Sequence, residues 1–326
     1  MKLATYQDGS RDGQLVVVSR DLATAHYATG VASRLQQVLD DWGFMSPQLQ
    51  DLYDALNQGR GRHSFPFDAR QCMAPLPRAY QWAEAQAYPS LLHPPEADTR
   101  LVMAPGSGDH FLGACEPLRC GAEALGVDFG AGLAAITADV PQGASPEQAL
   151  DGLRLLMLAN SVRLRSVEPA EQAKGVGWVQ SAPAVAFSPV AITLDELGDS
   201  WDKGRVHLPL HTSWNGRKVG MCDAGPEMRF HFGQLVAHVC STRAVRAGSV
   251  IGTGPVANAG VAQKTQMQWP KGYHSIAEKR VMETQDGGTP STGYLQYGDT
   301  VRIEMVGKDG NSLFGAIDHE LAPWLL

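Results

Sequence analysis

The sequence predicts a chain of the α+β class, rich in β-structure, and three observations carry that expectation. The first ~70 residues combine one short strand pattern with two amphipathic helical patterns. A proline-rich stretch follows. Beyond Lys174, short apolar runs are separated by Gly, Pro and Asn turn signals. With 326 residues, 44% hydrophobic and 19% charged, the chain has enough apolar material for a large core. The predicted division is a small N-terminal α/β domain, residues 1–72, and a β-rich domain, residues 73–326.

In chain order, Gln14 to Ser19 reads as a strand, and Val31 to Trp42 and Ser46 to Leu56 as amphipathic helices. Pro66, Pro75 and Pro77 close this unit, and Pro89, Pro94, Pro95 and Pro105 keep the next stretch irregular. Val127 to Ala138 is a strand candidate. Ser145, Pro146 and Glu147 occupy helix-start positions, and the apolar spacing of Ala149 to Leu158 extends the helical reading to Asn160. Leu153, Leu156, Met157 and Ala159 are the predicted core of that segment. Ser213 to Met221 reads as a hairpin around Asn215-Gly216, Val301 to Val306 as a strand, and Gly225 and Gly298 as turn residues.

The formal net charge of -7 comes without any block of Lys or Arg able to track a phosphate backbone, which argues against nucleic acid and anionic membrane as partners. Met1 to Ser10 is polar, and no stretch approaches the ~20 apolar residues of a membrane span, so a cytoplasmic protein is expected. Cys72, Cys115, Cys120, Cys222 and Cys240 are odd in number and scattered, which points to reduced structural thiols. Gly252-x-Gly254 and Gly106-Ser107-Gly108 lack the full spacing of a nucleotide fingerprint and read as turns. No Gly-x-Ser-x-Gly elbow is present. His207, His211, His231 and His238 do not assemble a three-ligand set, and His231 and His238 share a face of a predicted helix.

Four stretches closely resemble the bacterial branch of the fumarylacetoacetate hydrolase family: Ala74 to Trp82 (APLPRAYQW), Ser145 to Asn160 (SPEQALDGLRLLMLAN), Trp214 to Gly233 (WNGRKVGMCDAGPEMRFHFG) and Tyr294 to Met305 (YLQYGDTVRIEM). The resemblance implies a small N-terminal domain, a mixed β-sandwich roll carrying the active site, and a homodimer. It further implies Mg²⁺, Mn²⁺ or Ca²⁺ held by carboxylates, with a 1,3-dicarbonyl or 2-oxo acid as substrate. Lewis-acid stabilisation of an enolate is the chemistry that this arrangement serves.

Several positions depart from that pattern. The family's Glu-x-Glu strand aligns with Asp128-Phe129-Gly130-Ala131-Gly132, so glycine stands at both ligand positions. The next ligand, an Asp after Asn, aligns with Ser161 after Asn160. The remaining carboxylate aligns with Glu84, the catalytic His with Leu91 beside His93, a pocket Tyr with Ala104, and a Thr with Pro255. Lys174 and Arg165 match the family's site lysine and arginine, and Gln180 stands at a polar pocket position.

Trading three acids for small neutral residues beside Lys174 and Arg165 predicts a larger, less polar pocket with a positive bias and without a metal cofactor. Three readings follow. The first is a repurposed enzyme acting on a bulky 1,3-dicarbonyl or enolate by C–C cleavage or condensation. Here Lys174 and Arg165 are catalytic, and Glu84, Gly130, Gly132, Asn160, Ser161, Gln180 and Pro255 contact the small-molecule carbonyl substrate. The second is a non-catalytic binding protein. The third is a metal hydrolase whose ligands moved to Glu84, Asp128 and His93 or Asp109.

Overall fold

The computed structural model describes residues 1–92, 100–175, 177–263, 266–285 and 287–324. Its largest feature is a twelve-stranded mixed sheet. The main path runs Phe65–Pro66, Thr24–Tyr27, Gln14–Val18, Lys2–Tyr6, Ala191–Ile192, Leu153–Leu164, Ala131–Thr137, Val250–Pro255, Trp82–Ala85 and Met103–Gly106. Ala184–Phe187 and Val127–Asp128 also pair with the long strand Leu153–Leu164. The N-terminal strands therefore continue the sheet of the larger part of the chain, through the pairing of Lys2 with Ile192. A second, five-stranded sheet comprises Arg217–Asp223, Pro209–Trp214, Thr300–Met305, Ile317–Pro323 and Leu118–Cys120. The architecture is α+β and strand-rich, as the sequence predicts.

Two apolar cores lie on opposite faces of the large sheet. Leu133, Leu156 and Leu158 pack with Leu210, Ile303 and Met305 of the second sheet. Leu155, Met157 and Ile136 face the other way, against Leu35, Val38, Leu49 and Tyr53 of the helices Leu35–Asp40 and Trp42–Asn57. Alternation along the long strand supplies both cores, because successive side chains point to opposite faces.

This double coverage explains the main correction to the sequence reading. The helix starting at Ser145 is only Pro146–Asp151, with a Ser145/Gln148 capping box, and ends at Gly152. The residues from Leu153 onward form a twelve-residue strand, not a helix. A strand buried on both faces reads as a continuous apolar run, which periodicity alone does not distinguish from a buried helix. Leu153, Leu156, Met157 and Ala159 are buried as expected. Each large apolar side chain there stabilises the fold by about 1.5–3 kcal/mol.

Local signals fared better. The hairpin at Asn215-Gly216 forms with φ of 50° and 73°, the positive values that a two-residue I′ turn requires. Gly225 and Gly298 lie in turns. Gly252 to Gly254, read as a turn, belongs instead to the strand Val250–Pro255. All five cysteines are free. Among the described residues no helix is long and apolar enough to cross a membrane.

Candidate active site

The long strand sets Ser161 and Arg163 on one face, two residues apart, and Val162 on the other. Glu84 arrives from the strand Trp82–Ala85, three places away in the sheet order. Its carboxylate nevertheless accepts hydrogen bonds from the Ser161 hydroxyl and the Arg163 guanidinium. The sheet must therefore curl here, and glycines make room for it. A Cβ on Gly132 would lie 2.2 Å from the Gly254 carbonyl oxygen, and one on Gly130 would lie 2.8 Å from that of Ser161. The guanidinium of Arg163 also stands over the Trp178 ring, 5.3 Å from its centroid.

These groups line a cavity of about 350 Å³ together with Gly130, Pro255, Arg165 and Glu278. Arg165 is fully engaged. Its Nε donates to Asp128 at 2.9 Å, its Nη1 to Glu168 at 2.7 Å and its Nη2 to the Ser275 hydroxyl at 3.4 Å. Asp128, wholly buried, also accepts from the Ser275 hydroxyl at 2.8 Å and from the N–H groups of Ile276 and Ala277 at 2.7 and 3.1 Å. It therefore caps the helix Ile276–Gln285, where a carboxylate is favoured by the free N–H groups and the helix dipole.

Glu278, in the first turn of that helix, is 4% exposed and lines the cavity. Burial, then the negative charge of Asp128, push its carboxyl up to about 8, against the opposing pull of Arg165 and a hydrogen bond with Ser90. At neutral pH it is mostly a neutral acid. It can give a proton, or take one back after ionising, within a cavity that also holds cationic donors.

The sequence-predicted residues divide in two. Glu84, Gly130, Ser161, Pro255 and Arg165 come together on the cavity wall. Lys174 ends the helix Glu168–Lys174, exposed and off that wall. Gln180 is exposed, and its backbone N–H donates to Glu171 at 2.8 Å. Asn160 faces away, where its Oδ1 accepts from the Gly130 N–H at 3.1 Å and its Nδ2 meets His319 at 3.4 Å. Gly132 lies beneath the wall rather than on it. His93 lies outside the described residues. Asp109 lines a different cavity, and Asp128 is held by Arg165 and the helix it caps.

One expectation about the pocket needs correction. With Glu278 protonated, the pocket's charged lining, Glu84 and Glu168 against Arg163 and Arg165, carries no positive excess, because each arginine has an acidic partner and Lys174 is elsewhere. The cavity, about 350 Å³, is at the low end for small-molecule sites, and Glu84, Arg163, Arg165, Glu168 and Glu278 are among its lining side chains. Sequence reasoning missed Arg163, Trp178 and Glu278. Reading residues 153–164 as a strand would have placed Arg163 beside Ser161, and Ser275-x-x-Glu278 is a helix-start pattern that draws attention to Glu278.

Comparison with known sequences identifies the frame. A profile described as fumarylacetoacetase N-terminal domain 2 matches residues 1–78, and one described as fumarylacetoacetate (FAA) hydrolase C-terminal matches residues 80–321. The chain belongs to the fumarylacetoacetate hydrolase family. A search of curated proteins returns no match. Solved structures of similar fold include fumarylacetoacetate hydrolase from psychrophilic Exiguobacterium antarcticum, at 18% identity and a TM-score of 0.67, covering 99% of this chain and 100% of that one. Maleylpyruvate hydrolase from Sphingobium sp. SYK-6, in complex with manganese(II) and pyruvate, aligns at 14% identity and a TM-score of 0.67, covering all of both chains. The 2-hydroxyhepta-2,4-diene-1,7-dioate isomerase from Mycobacterium marinum aligns at 16% and 0.61, covering 99% and 98%. At these identities the likeness is one of fold.

The divalent cation associated with fumarylacetoacetate hydrolases does not fit the residues found here. Such an ion needs several anionic oxygens converging on one point. Gly130 and Gly132 offer no side-chain oxygen, and the 2.2 Å approach at Gly132 leaves no space for one. Ser161 donates to Glu84, whose charge already faces the guanidinium of Arg163. Among the described residues, no three of His, Cys, Asp and Glu come together as a metal cluster.

Proposed function

We propose that this member of the fumarylacetoacetate hydrolase family is an enzyme that breaks or forms a C–C bond next to a carbonyl through an enolate, without the divalent cation. The substrate is a 1,3-dicarbonyl compound about the size of one aromatic ring with a short side chain, matched to a cavity of about 350 Å³. The similar structures, hydrolases and an isomerase, support an enzyme of carbonyl chemistry.

The single observation that carries the reading is Glu278: a buried carboxylic acid, held protonated near neutrality, on the wall of a cavity that also presents guanidinium groups. In the cleavage direction water adds to one carbonyl carbon and the adjacent C–C bond breaks. The electron pair leaves as an enolate, Glu278 delivers its proton to the enolate carbon, and the proton given up by the added water restores the Glu278 acid as the other fragment leaves as a carboxylic acid. Condensation is the reverse, with the Glu278 carboxylate removing that proton from the carbon. Arg165, paired with Asp128 and Glu168, holds the wall around Glu278 in place.

The test is turnover of aryl 1,3-diketones and acylpyruvates by EDTA-treated protein, followed by loss of enol absorbance. Activity is expected to be indifferent to added Mg²⁺ or Mn²⁺ and to fall by at least about a hundredfold in Glu278→Gln. Turnover that appears only with Mn²⁺ overturns the metal-independent mechanism. Binding without turnover across the panel makes the chain a non-catalytic binding protein.

A further inference from the structure

We propose that Arg163 is the oxyanion receptor of this cavity, taking a planar conjugated oxyanion, a carboxylate or a 1,3-dicarbonyl enolate, on the edge of a guanidinium held by Glu84 and stacked on Trp178. The proposal rests on reading this cavity as the functional site.

Two arginines line the cavity and they are not equivalent. All three nitrogens of Arg165 have partners, in Asp128, Glu168 and Ser275. Arg163 gives only Nη2 to Glu84, so among the described residues its Nε and Nη1, with three N–H bonds between them, remain for a ligand. Arg163 lines the cavity with its side chain 14% exposed.

The geometry also selects the ligand's shape. Trp178 covers one face of the guanidinium at 5.3 Å, so a ligand meets its edge. Edge-on contact with two parallel N–H bonds, the second hydrogen of Nη2 beside that of Nε or Nη1, is the bidentate arrangement that carboxylates and similar planar oxyanions satisfy. The position explains why a cation belongs here. The partner of Glu84 is a covalently tethered cation, Arg163. Glu84 neutralises Arg163 before the ligand arrives and fixes its orientation. The ligand then has to supply the remaining acceptors, and its flat π-system fits between the edge of Arg163 and the cavity wall.

Calorimetry in EDTA at pH 6.5, with benzoylpyruvate as the anionic probe and benzoylacetone as its uncharged counterpart, tests the assignment. Arg163→Met alone strands a buried Glu84, so the decisive protein is the double variant Glu84→Gln/Arg163→Met, with Glu84→Gln as its control. Benzoylpyruvate affinity is expected to fall by at least about tenfold in the double variant, to survive in Glu84→Gln, and to lose much more than benzoylacetone does. A double variant that melts like the wild type and binds benzoylpyruvate equally well overturns the proposal. So does a wild type that binds neither probe, or an equal loss in Glu84→Gln, which would place the determinant on Glu84. Turnover is read separately. Arg163-dependent binding without turnover removes the catalytic reading and leaves the receptor, whereas full turnover in the double variant does the opposite.

Discussion

Glu278→Gln isolates the group on which the proposed chemistry depends, and its effect on stability can be worked out before any substrate is known. In the folded protein the Glu278 carboxyl holds its proton up to about 8, and in the unfolded chain it releases it near 4.5. Between those values the native state binds one more proton than the unfolded state, so its contribution to unfolding free energy falls as pH rises, by about 1.4 kcal/mol per pH unit. From pH 5 to pH 7 the loss is roughly 3 kcal/mol. Glutamine does not titrate, so the variant lacks this slope while retaining the slopes of every other group. Urea unfolding of both proteins at half-unit intervals from pH 5 to pH 8 should show the variant gaining on the wild type throughout, with equal m-values. Parallel stability curves would mean that Glu278 ionises normally, and would remove the acid from the proposed mechanism.

Other expectations follow from the same structure. Gly132→Ala should destabilise by at least about 1–3 kcal/mol, or prevent folding, because its Cβ meets the Gly254 carbonyl oxygen at 2.2 Å; a melting temperature like the wild type's would show that the sheet relaxes there. Asp128→Asn should cost about 3–5 kcal/mol in chemical unfolding by leaving Arg165 without its buried partner and weakening the cap of the helix Ile276–Gln285. Lys174→Ala, on an exposed helix end, should change stability by less than about 0.5 kcal/mol, and a loss of turnover in it would return Lys174 to the chemistry. Burial lowers His274 to about 3 and His319 to about 4, so both stay neutral in the folded state while the unfolded chain takes up protons below about 6.5. Their combined effect is a loss of stability as pH falls from 6.5 to 4, about 1.4 kcal/mol per unit for each, and replacing His319 by Asn should flatten that acid limb in pH-resolved melting.

Short-range chemistry accounts for what was legible in the sequence. Ser145-Pro146 started a helix, Asn215-Gly216 closed a hairpin, and the alternating run at Thr300–Met305 became a strand, because caps, I′ turns and two-residue periodicity are decided by neighbours in the chain. The quoted motifs pointed to the fumarylacetoacetate hydrolase family.

Tertiary structure decided the rest. Leu153–Leu164 became a strand because apolar layers cover both of its faces, a fact about distant segments that no local window contains. That choice set Arg163 beside Ser161, and the curling of the sheet brought Glu84 to both across three strand positions. The same packing engaged Arg165 and Asp128 with each other and enclosed Glu278. Residue identity determines which charges a chain carries; only burial and partnership determine which of them remain available to a ligand.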